Sequence, residues 1–162
     1  MSIITIRDFT EDDLGWMAAR EVELFGAGAW SEALIREDFA LGLRDYRCAE
    51  WDGERAGYAV WGPDGDVFHL MNVAIDDAHR RRGIGRALID DMFVAARARG
   101  ERDGWREVAV TNRAAILLYR KFGFKDVRVR EKYYQPEGTD ALVMRAVVAP
   151  EERRKGGRTF IP

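Results

Sequence analysis

The sequence has 162 residues, 47% of them hydrophobic, so it is long and apolar enough to bury the core of one domain. Its 26 basic and 28 acidic residues leave a net charge of −2, which argues against the broad basic surface of a DNA-, RNA- or membrane-binding protein. The single cysteine, Cys48, excludes an intramolecular disulfide and a multi-cysteine zinc site. With no stretch near the ~20 apolar residues of a membrane helix and no signal-peptide pattern, we expect a cytoplasmic protein.

The N-terminal part contains one predicted strand and two predicted helices. Apolar and polar residues alternate over residues 2–8, as in a half-buried strand. Thr10 and Asp13 form a capping-box-like start for a helix that runs toward Phe25, and Ser31 is placed as the N-cap of a second, short helix. The chain therefore begins with a strand followed by two helices.

Three strands in a meander are predicted next. Residues 46–51 and 54–61 flank Asp52-Gly53, a dipeptide typical of two-residue hairpin turns. A second turn is predicted over residues 63–66, and the apolar side chains of residues 67–75 predict a third strand.

The C-terminal half alternates helices and strands. A helix begins at Ile84 and ends where Gly100 can supply the left-handed residue of a C-cap. The later predicted elements are a strand over 105–110, a helix over 112–122, and strands over 125–129 and 141–147. We expect one domain over residues 1–149 and a disordered basic tail over residues 150–162, which has too little apolar surface to order itself. The order β-α-α-β-β-β-α-β-α-β-β predicts an α/β chain with a mostly antiparallel sheet.

The most informative segment lies between a predicted buried strand and the helix that begins at Ile84. It reads His79-Arg80-Arg81-Arg82-Gly83-Ile84-Gly85-Arg86-Ala87. Backbone N–H groups at a helix N-terminus attract anions, glycines let a phosphate approach the backbone, and arginines add positive charge. We interpret residues 80–86 as a phosphate cradle for a pyrophosphate, although a solvated basic loop is also consistent with the segment.

Two better-known phosphate motifs do not fit the phosphate cradle. It lacks the Gly-Lys-Ser/Thr ending of a P-loop. Leu88 stands where a dinucleotide fingerprint has its third glycine. These mismatches favour a phosphate-bearing ligand other than a nucleoside triphosphate or NAD.

In this segment the chain resembles the GNAT superfamily of N-acetyltransferases, whose acetyl-CoA motif is Arg/Gln-x-x-Gly-x-Gly/Ala. The flanking runs match in order and spacing: Leu-Met-Asn-Val-Ala-Ile-Asp before the motif and Glu-Val-Ala-Val-Thr-Asn-Arg-Ala-Ala-Ile-Leu-Leu-Tyr after it. Trp30-Ser31, Gly123-Phe124 and Tyr133-Tyr134 are similar to the ribosomal-protein-alanine (RimI-like) and archaeal N-terminal acetyltransferases. Those proteins usually read Leu-Glu-Val-Arg where this chain has Arg106-Glu107-Val108-Ala109.

The resemblance implies a GNAT fold, a mixed and mostly antiparallel sheet of about seven strands flanked by about four helices. It also implies that Glu107 is the general base, whereas from the residue alone an exposed surface glutamate is the simpler interpretation. Tyr119 is implied as the proton donor to the CoA sulfur, and packing of its ring in the core is compatible with that role.

The remaining implied roles concern the two substrates. The backbone N–H groups of Val73, Ala74 and Ile75, freed by a β-bulge, are expected to hold the thioester carbonyl and the pantetheine arm. Asn112, which can also simply cap its helix, is expected to contact CoA. The expected substrate-binding residues are Trp30, Tyr133 and Tyr134, the two tyrosines being placed in a loop with Pro136 and Gly138.

The predicted function is transfer of an acetyl group from acetyl-CoA to the N-terminal amine of a protein, such as a ribosomal protein with N-terminal alanine. Direct attack in a ternary complex is expected, because no Cys or Ser stands beside a recognisable base. His69 and His79 are too few and too scattered for a metal site, so no metal is expected. Acetylation of a small amine (a polyamine, an amino acid or an aminoglycoside) and a non-catalytic RNA-binding module are the alternatives. No DNA or membrane partner is expected, and the oligomeric state is not predicted.

Overall fold

One seven-stranded sheet and four α-helices make up the part of the chain that the computed structural model describes, residues 1–148. The strands are β1 (Ile4–Asp8), β2 (Asp45–Trp51), β3 (Glu54–Asp64), β4 (Val67–Ile75), β5 (Asp103–Ala109), β6 (Lys125–Tyr134) and β7 (Thr139–Val147). The helices are α1 (Leu14–Phe25), α2 (Glu32–Leu41), α3 (Ile84–Ala98) and α4 (Arg113–Lys121). The predicted element order and the mixed, mostly antiparallel sheet are confirmed. The predicted tail, residues 150–162, lies outside the described residues and stays a prediction.

The strands lie in the order β1-β2-β3-β4-β5-β7-β6, and only β4 and β5 pair in parallel within residues 1–148. The sheet separates two groups of buried side chains. The larger group includes residues of α3 and α4, and the smaller one includes residues of α1 and α2. Within the described range, no helix is both long and apolar enough to span a bilayer.

Two predicted helix starts are present. A 3₁₀ turn over Glu11–Asp13 leads into α1, and the Asp13 carboxylate accepts the backbone N–H of Thr10 at 2.8 Å. The Ser31 hydroxyl oxygen accepts the backbone N–H of Leu34 at 3.1 Å and caps α2. Each cap satisfies a backbone group that has no partner inside its helix.

Asp13 is also buried between two arginines. Its carboxylate pairs with Arg7 and with Arg55, each at 2.8 Å. Burial by itself raises the pKa of this carboxyl, but hydrogen bonds from Arg7, the Thr10 backbone and Arg55 hold the pKa well below its usual range. The ionised group therefore stabilises the folded state.

The two hairpins of the meander are tight. Asp52 and Gly53 both have positive φ, 49° and 84°, and reverse the chain between β2 and β3 as predicted. The turn predicted over residues 63–66 is narrower than expected, because β3 continues through Asp64 and Asp64 pairs with Val67. Gly65-Asp66 alone forms the loop, which matches the twist that two-residue hairpins favour.

Strand β6 is twice as long as predicted and changes the position of Tyr133 and Tyr134. The prediction ended this strand at residue 129 and placed both tyrosines in a loop, which is wrong: they lie at the end of β6, where Tyr134 pairs with Thr139. β6 is an edge strand exposed along nearly its whole length, so charged side chains on both faces hide the alternation that marks a strand.

Strands β4 and β5 meet briefly and then diverge. Val67–His69 pairs with Asp103–Trp105, and no further pairs join the two strands within the described chain. Gly104 permits the close approach, since a Cβ there would lie 2.1 Å from Cζ of the buried Phe68 ring. Beyond this contact β4 stays with β3 and β5 stays with β7, which opens a gap between β4 and β5.

Candidate active site

The predicted phosphate cradle, residues 80–86, lies at the N-terminus of α3. Gly83 is the N-cap residue, with a φ of 81° that glycine adopts without strain. A Cβ built at Gly83 would contact nothing within 4 Å in residues 1–148, whereas one at Gly85 would have side-chain atoms of Ile75 and Phe122 as its nearest neighbours, at 3.8 Å and 3.9 Å. The space beside Gly83 is therefore open to a phosphate, whereas Gly85 faces side chains that a Cβ would contact. Ile84 is 1% exposed, so its side chain packs in the core and only its backbone is left for a ligand.

The arginines of the cradle fall into two groups. Arg80 and Arg86 pair with aspartates of their own segment, at 2.9 Å and 3.3 Å. The Arg82 guanidinium lies over the Trp51 ring, 4.8 Å from its centroid, and neither Arg81 nor Arg82 forms an ion pair within residues 1–148. Arg81 and Arg82 thus carry positive charge that no described carboxylate neutralises.

The backbone of β4 borders the gap between β4 and β5. Val73, Ala74 and Ile75 pair with β3 on one side, and on the other side β5 has already diverged. The register of β3 and β4 shifts at Met71, which has no partner between Asn72 and Leu70. The expected β-bulge therefore precedes residues 73–75, and divergence of β5 exposes their backbone on the gap side.

Glu107 lies beside the gap and contacts two residues that were not predicted for the site. Its Oε2 is 2.5 Å from Nε2 of His69, and its Oε1 is 3.9 Å from the Arg130 guanidinium. The Glu107 side chain is 14% exposed, so it is not the surface glutamate of the simpler interpretation. His69 pairs with Trp105 across the parallel strands, which places Glu107 two residues farther on the same face. Only the pairing of β4 with β5 shows that His69 is a neighbour of Glu107, and the sequence contains no local signal for that pairing.

Tyr119 and Asn112 have the structural roles that the sequence left open. The Tyr119 ring is 3% exposed and lies 5.9 Å from the Phe124 ring. The Asn112 side-chain oxygen accepts the backbone N–H of Ala115 at 3.2 Å, which caps α4. Neither role prevents a contact with a substrate, because Asn112 is at the exposed start of α4 and a tyrosine hydroxyl can extend beyond a packed ring.

Arg106 occupies the gap and was also not predicted for the site. Its guanidinium donates hydrogen bonds to the backbone oxygens of Leu70, at 3.1 Å, and of Met71. The same guanidinium lies 5.6 Å from the centre of the Tyr119 ring. Arg106 thus bridges the two strands where they diverge and lies next to the predicted proton donor.

The two predicted tyrosines of the acceptor site lie near Glu107. Their rings are 4.9 Å apart, and the Arg130 guanidinium is 4.5 Å from the Tyr133 ring centre. Burial raises the pKa of Tyr134, Arg106 lowers it, and Tyr133, Glu107 and Tyr119 raise it further. Tyr134 therefore shares the electrostatic surroundings of both predicted catalytic residues.

The Trp30 side chain packs against the smaller group of buried side chains, which includes residues of α1 and α2. Its side chain is half-buried against that cluster, which also contacts Met71 of β4. Its backbone N–H donates to the buried Glu21 carboxylate at 3.0 Å, and the same carboxylate accepts Asn72 Nδ2 at 2.8 Å. The Glu21 carboxylate therefore links the backbone of Trp30 to the Asn72 side chain of β4.

Comparison with known proteins decides the family. The family model for the Acetyltransferase (GNAT) domain matches residues 44–126, just over half of the chain. The chain belongs to the GNAT acetyltransferase family. Members of this family take their acetyl group from acetyl-CoA.

Individual relatives resemble this acetyltransferase over most of its length. It is 33% identical over 147 residues to the N-alpha-acetyltransferase RimI of Mycobacterium tuberculosis, covering 88% of this chain and 91% of the relative. The crystal structure of the ribosomal-protein-S18-alanine N-acetyltransferase from Escherichia coli superposes with a TM-score of 0.77 at 30% identity, covering 93% of this chain and 98% of that one. Ard1 of Thermoplasma volcanium has the same fold, with a TM-score of 0.79 at 24% identity and coverage of 90% and 98%.

Proposed function

We propose that this acetyltransferase acetylates the N-terminal α-amino group of a protein, with acetyl-CoA as donor and with direct attack in a ternary complex. The observation that carries the proposal is the contact of the Glu107 carboxylate with His69 beside the gap where β4 and β5 diverge. The relatives named for N-terminal or ribosomal-protein-alanine acetylation support the same class of acceptor.

Acetyl-CoA is proposed to bind along α3 and β4. The open space beside Gly83 and the unneutralised Arg81 and Arg82 suit its pyrophosphate, with the backbone of Ile84 and Gly85 and, secondarily, Arg80 and Arg86 beside them. Two further contacts are proposed: the backbone of Val73, Ala74 and Ile75 with the pantetheine arm and the thioester carbonyl, and Asn112 with CoA. The gap gives a pantetheine arm access to β4 backbone groups that are not paired by a strand on that side within residues 1–148.

Glu107 is proposed as the base that takes a proton from the acceptor amine. An α-amino group has an ordinary pKa of about 7.7–8.0, so near neutral pH only one proton has to be removed from a partly deprotonated group. The contact with His69 holds the carboxylate in one orientation. Tyr119 is proposed to donate a proton to the departing sulfur.

Direct transfer is favoured because the lone cysteine is unsuited to carry an acetyl group. Cys48 lies on β2, is 0% exposed, and burial raises the pKa of its thiol to about 11. A buried neutral thiol is a poor nucleophile. No acetyl-enzyme is therefore proposed.

The acceptor chain is proposed to enter on the face of the sheet that carries Glu107. Arg130, Tyr133 and Tyr134 border this carboxylate, and Trp30 lies on the same side of the sheet near Met71. An N-terminus in extended conformation, advancing about 3.3 Å per residue, can contact these side chains with its first few residues. The proposed acceptor is a protein with a small first residue such as alanine, with a ribosomal protein as the first candidate.

The test compares peptides with small amines. Peptides beginning with Ala or Ser, the same peptides with a blocked N-terminus, and a panel of polyamines, amino acids and aminoglycosides are each incubated with acetyl-CoA, and CoA release is measured. We expect turnover only with free peptide N-termini, and mass spectrometry should place the acetyl group on the α-nitrogen. Turnover of the small amines alone, or acetylation of an internal lysine instead, would overturn the proposal.

A further inference from the structure

The Arg106 side chain carries a positive charge and is partly buried, so folding removes part of its hydration at a cost in free energy. Its Nε is shielded from solvent and has no hydrogen-bond partner in residues 1–148. One terminal nitrogen, Nη1, donates to both backbone carbonyls, and no carboxylate of the described chain forms an ion pair with the guanidinium. Carbonyl dipoles offset only part of the cost of removing a full charge from water.

The Arg106 guanidinium and the Glu107 carboxylate lie on opposite faces of the sheet. Glu107 and Arg106 are successive residues of β5, so their side chains leave opposite faces of the sheet. Glu107 contacts His69, whereas Arg106 lies against the Tyr119 ring, which packs in the larger core. The positive charge is therefore on the same side of the sheet as the proposed proton donor to sulfur.

We propose that Arg106 supplies the positive charge that stabilises the thiolate of CoA when the thioester breaks. In the reaction, the acceptor nitrogen forms a bond to the acetyl carbon, and the carbon–sulfur bond breaks with its electron pair on sulfur. The protonated amine loses one proton through Glu107 to water before it attacks, and its nitrogen loses a second proton as the amide forms. Tyr119 gives one proton to sulfur and regains one from that second proton by way of Glu107 and water, so the products are an amide and the thiol of CoA. Arg106 gains and loses no proton; its fixed charge lowers the energy of the negative sulfur before the proton arrives.

This inference names a role for a residue that departs from the family pattern. The resembling acetyltransferases usually have leucine at this position, which can fill the gap but cannot stabilise an anion. The inference rests on the proposed function only in requiring CoA to bind. It is independent of which amine accepts the acetyl group.

The test measures the affinity of CoA relative to desulfo-CoA, which lacks the thiol, as a function of pH by titration calorimetry. If the site favours the thiolate, the bound thiol has a lower pKa than an ordinary thiol of about 8.5, and the affinity ratio rises with pH. An opposite charge within about 4–6 Å lowers a pKa by roughly 1–3 units, so we expect the ratio to rise about tenfold or more in the wild-type protein.

The variants separate a charge effect from a structural one. Arg106→Gln can retain hydrogen bonds to the carbonyls but has no charge, so the rise should be lost; Arg106→Lys should keep part of it. Arg145→Gln is the matched control and should leave the rise unchanged, because Arg145 pairs across the strands with Trp105, forms an ion pair with Asp103 and lies on the opposite face of the sheet from Arg106.

A flat affinity ratio in the wild-type protein overturns the inference even if no variant folds. An undiminished rise in Arg106→Gln also overturns it and assigns Arg106 to bridging the strands only. If the ratio is flat while peptides are still acetylated, this inference alone fails. Absence of CoA binding would instead defeat the proposed function together with the inference.

Discussion

Replacing Glu107 by Gln removes the proposed base and preserves the shape of the side chain. The amide oxygen of Gln can still accept a hydrogen bond from His69, so the geometry beside the gap is retained. Loss of one positioned proton-transfer group costs about 10²–10⁴-fold in rate, which corresponds to about 2.7–5.4 kcal/mol of activation free energy. The lost pairing with Arg130 has little effect on stability, about 0–1 kcal/mol, because Arg130 is 45% exposed and its nitrogen is 3.9 Å from the carboxylate.

The assay is the initial rate of CoA release with an Ala-starting peptide, measured from pH ~6 to pH ~10, a range that brackets the amine pKa of about 7.7–8.0. Because a base helps only while the amine carries its proton, the deficit of Glu107→Gln should shrink as the pH rises above that value. The deficit of Tyr119→Phe should not shrink with it, since the departing sulfur remains without its donor. Glu131→Gln, the same change at an exposed residue of β6, is the control.

Two results would refute this reasoning. One is a loss of less than about tenfold in both variants, below the usual range for general acid–base catalysis. The other is a pH-independent deficit in Glu107→Gln, which would make Glu107 a structural or binding residue.

Four further predictions follow from the described contacts. Acetyl-CoA at ~100 times its dissociation constant should stabilise the protein by ~2.7 kcal/mol in a thermal melt, and Gly85→Leu should abolish this shift, because a bulky side chain blocks approach to the helix N-terminus. Cys48→Ala should keep most activity, and intact-mass measurement should detect no acetyl-enzyme. Asp13→Asn should destabilise the fold by roughly 1–3 kcal/mol at neutral pH in urea unfolding, because it removes the charge of a buried carboxylate that pairs with two partly exposed arginines. Gly104→Ala should destabilise by about 1–3 kcal/mol, since its Cβ would overlap the ring of Phe68.

The Asp13 prediction carries a definite pH dependence. The folded-state pKa of this carboxyl is lowered, so its stabilisation is fully present above the unfolded value of about 3.9 and is lost as the pH falls through the folded value. The difference between wild type and Asp13→Asn should therefore be constant near neutrality and should decrease in acid. A difference that grows on acidification would contradict this explanation.

Each of the other three predictions would be contradicted by one specific result. An unchanged thermal shift in Gly85→Leu would show that the phosphate does not bind at the N-terminus of α3. Ping-pong kinetics with an acetylated protein would exclude direct transfer. Wild-type stability in Gly104→Ala would show that β4 and β5 can separate at their contact without cost.

Local sequence signals were sufficient for most of the fold. Ser31 and Asn112 cap the helices that they were expected to cap, and Asp52-Gly53 forms the predicted hairpin turn. These features depend on a few adjacent residues, whose backbone preferences and hydrogen bonds operate within one turn. The edge strand β6 was predicted too short, because its charged residues obscure the period of two.

The amino-acid sequence by itself determined the order of the elements, and it was sufficient to propose the phosphate cradle, because residues 80–86 are contiguous and their chemistry can be read in one segment. The surroundings of Glu107 were decided by the tertiary structure. His69 is 38 positions away in the chain, and Arg106 reaches carbonyls 35 and 36 positions away. Those contacts depend on the parallel register of β4 and β5 and on the point where the strands diverge. If β5 were shifted by one residue against β4, Arg106 and Glu107 would each lie on the other face of the sheet, and neither strand by itself identifies its pairing partner in the other.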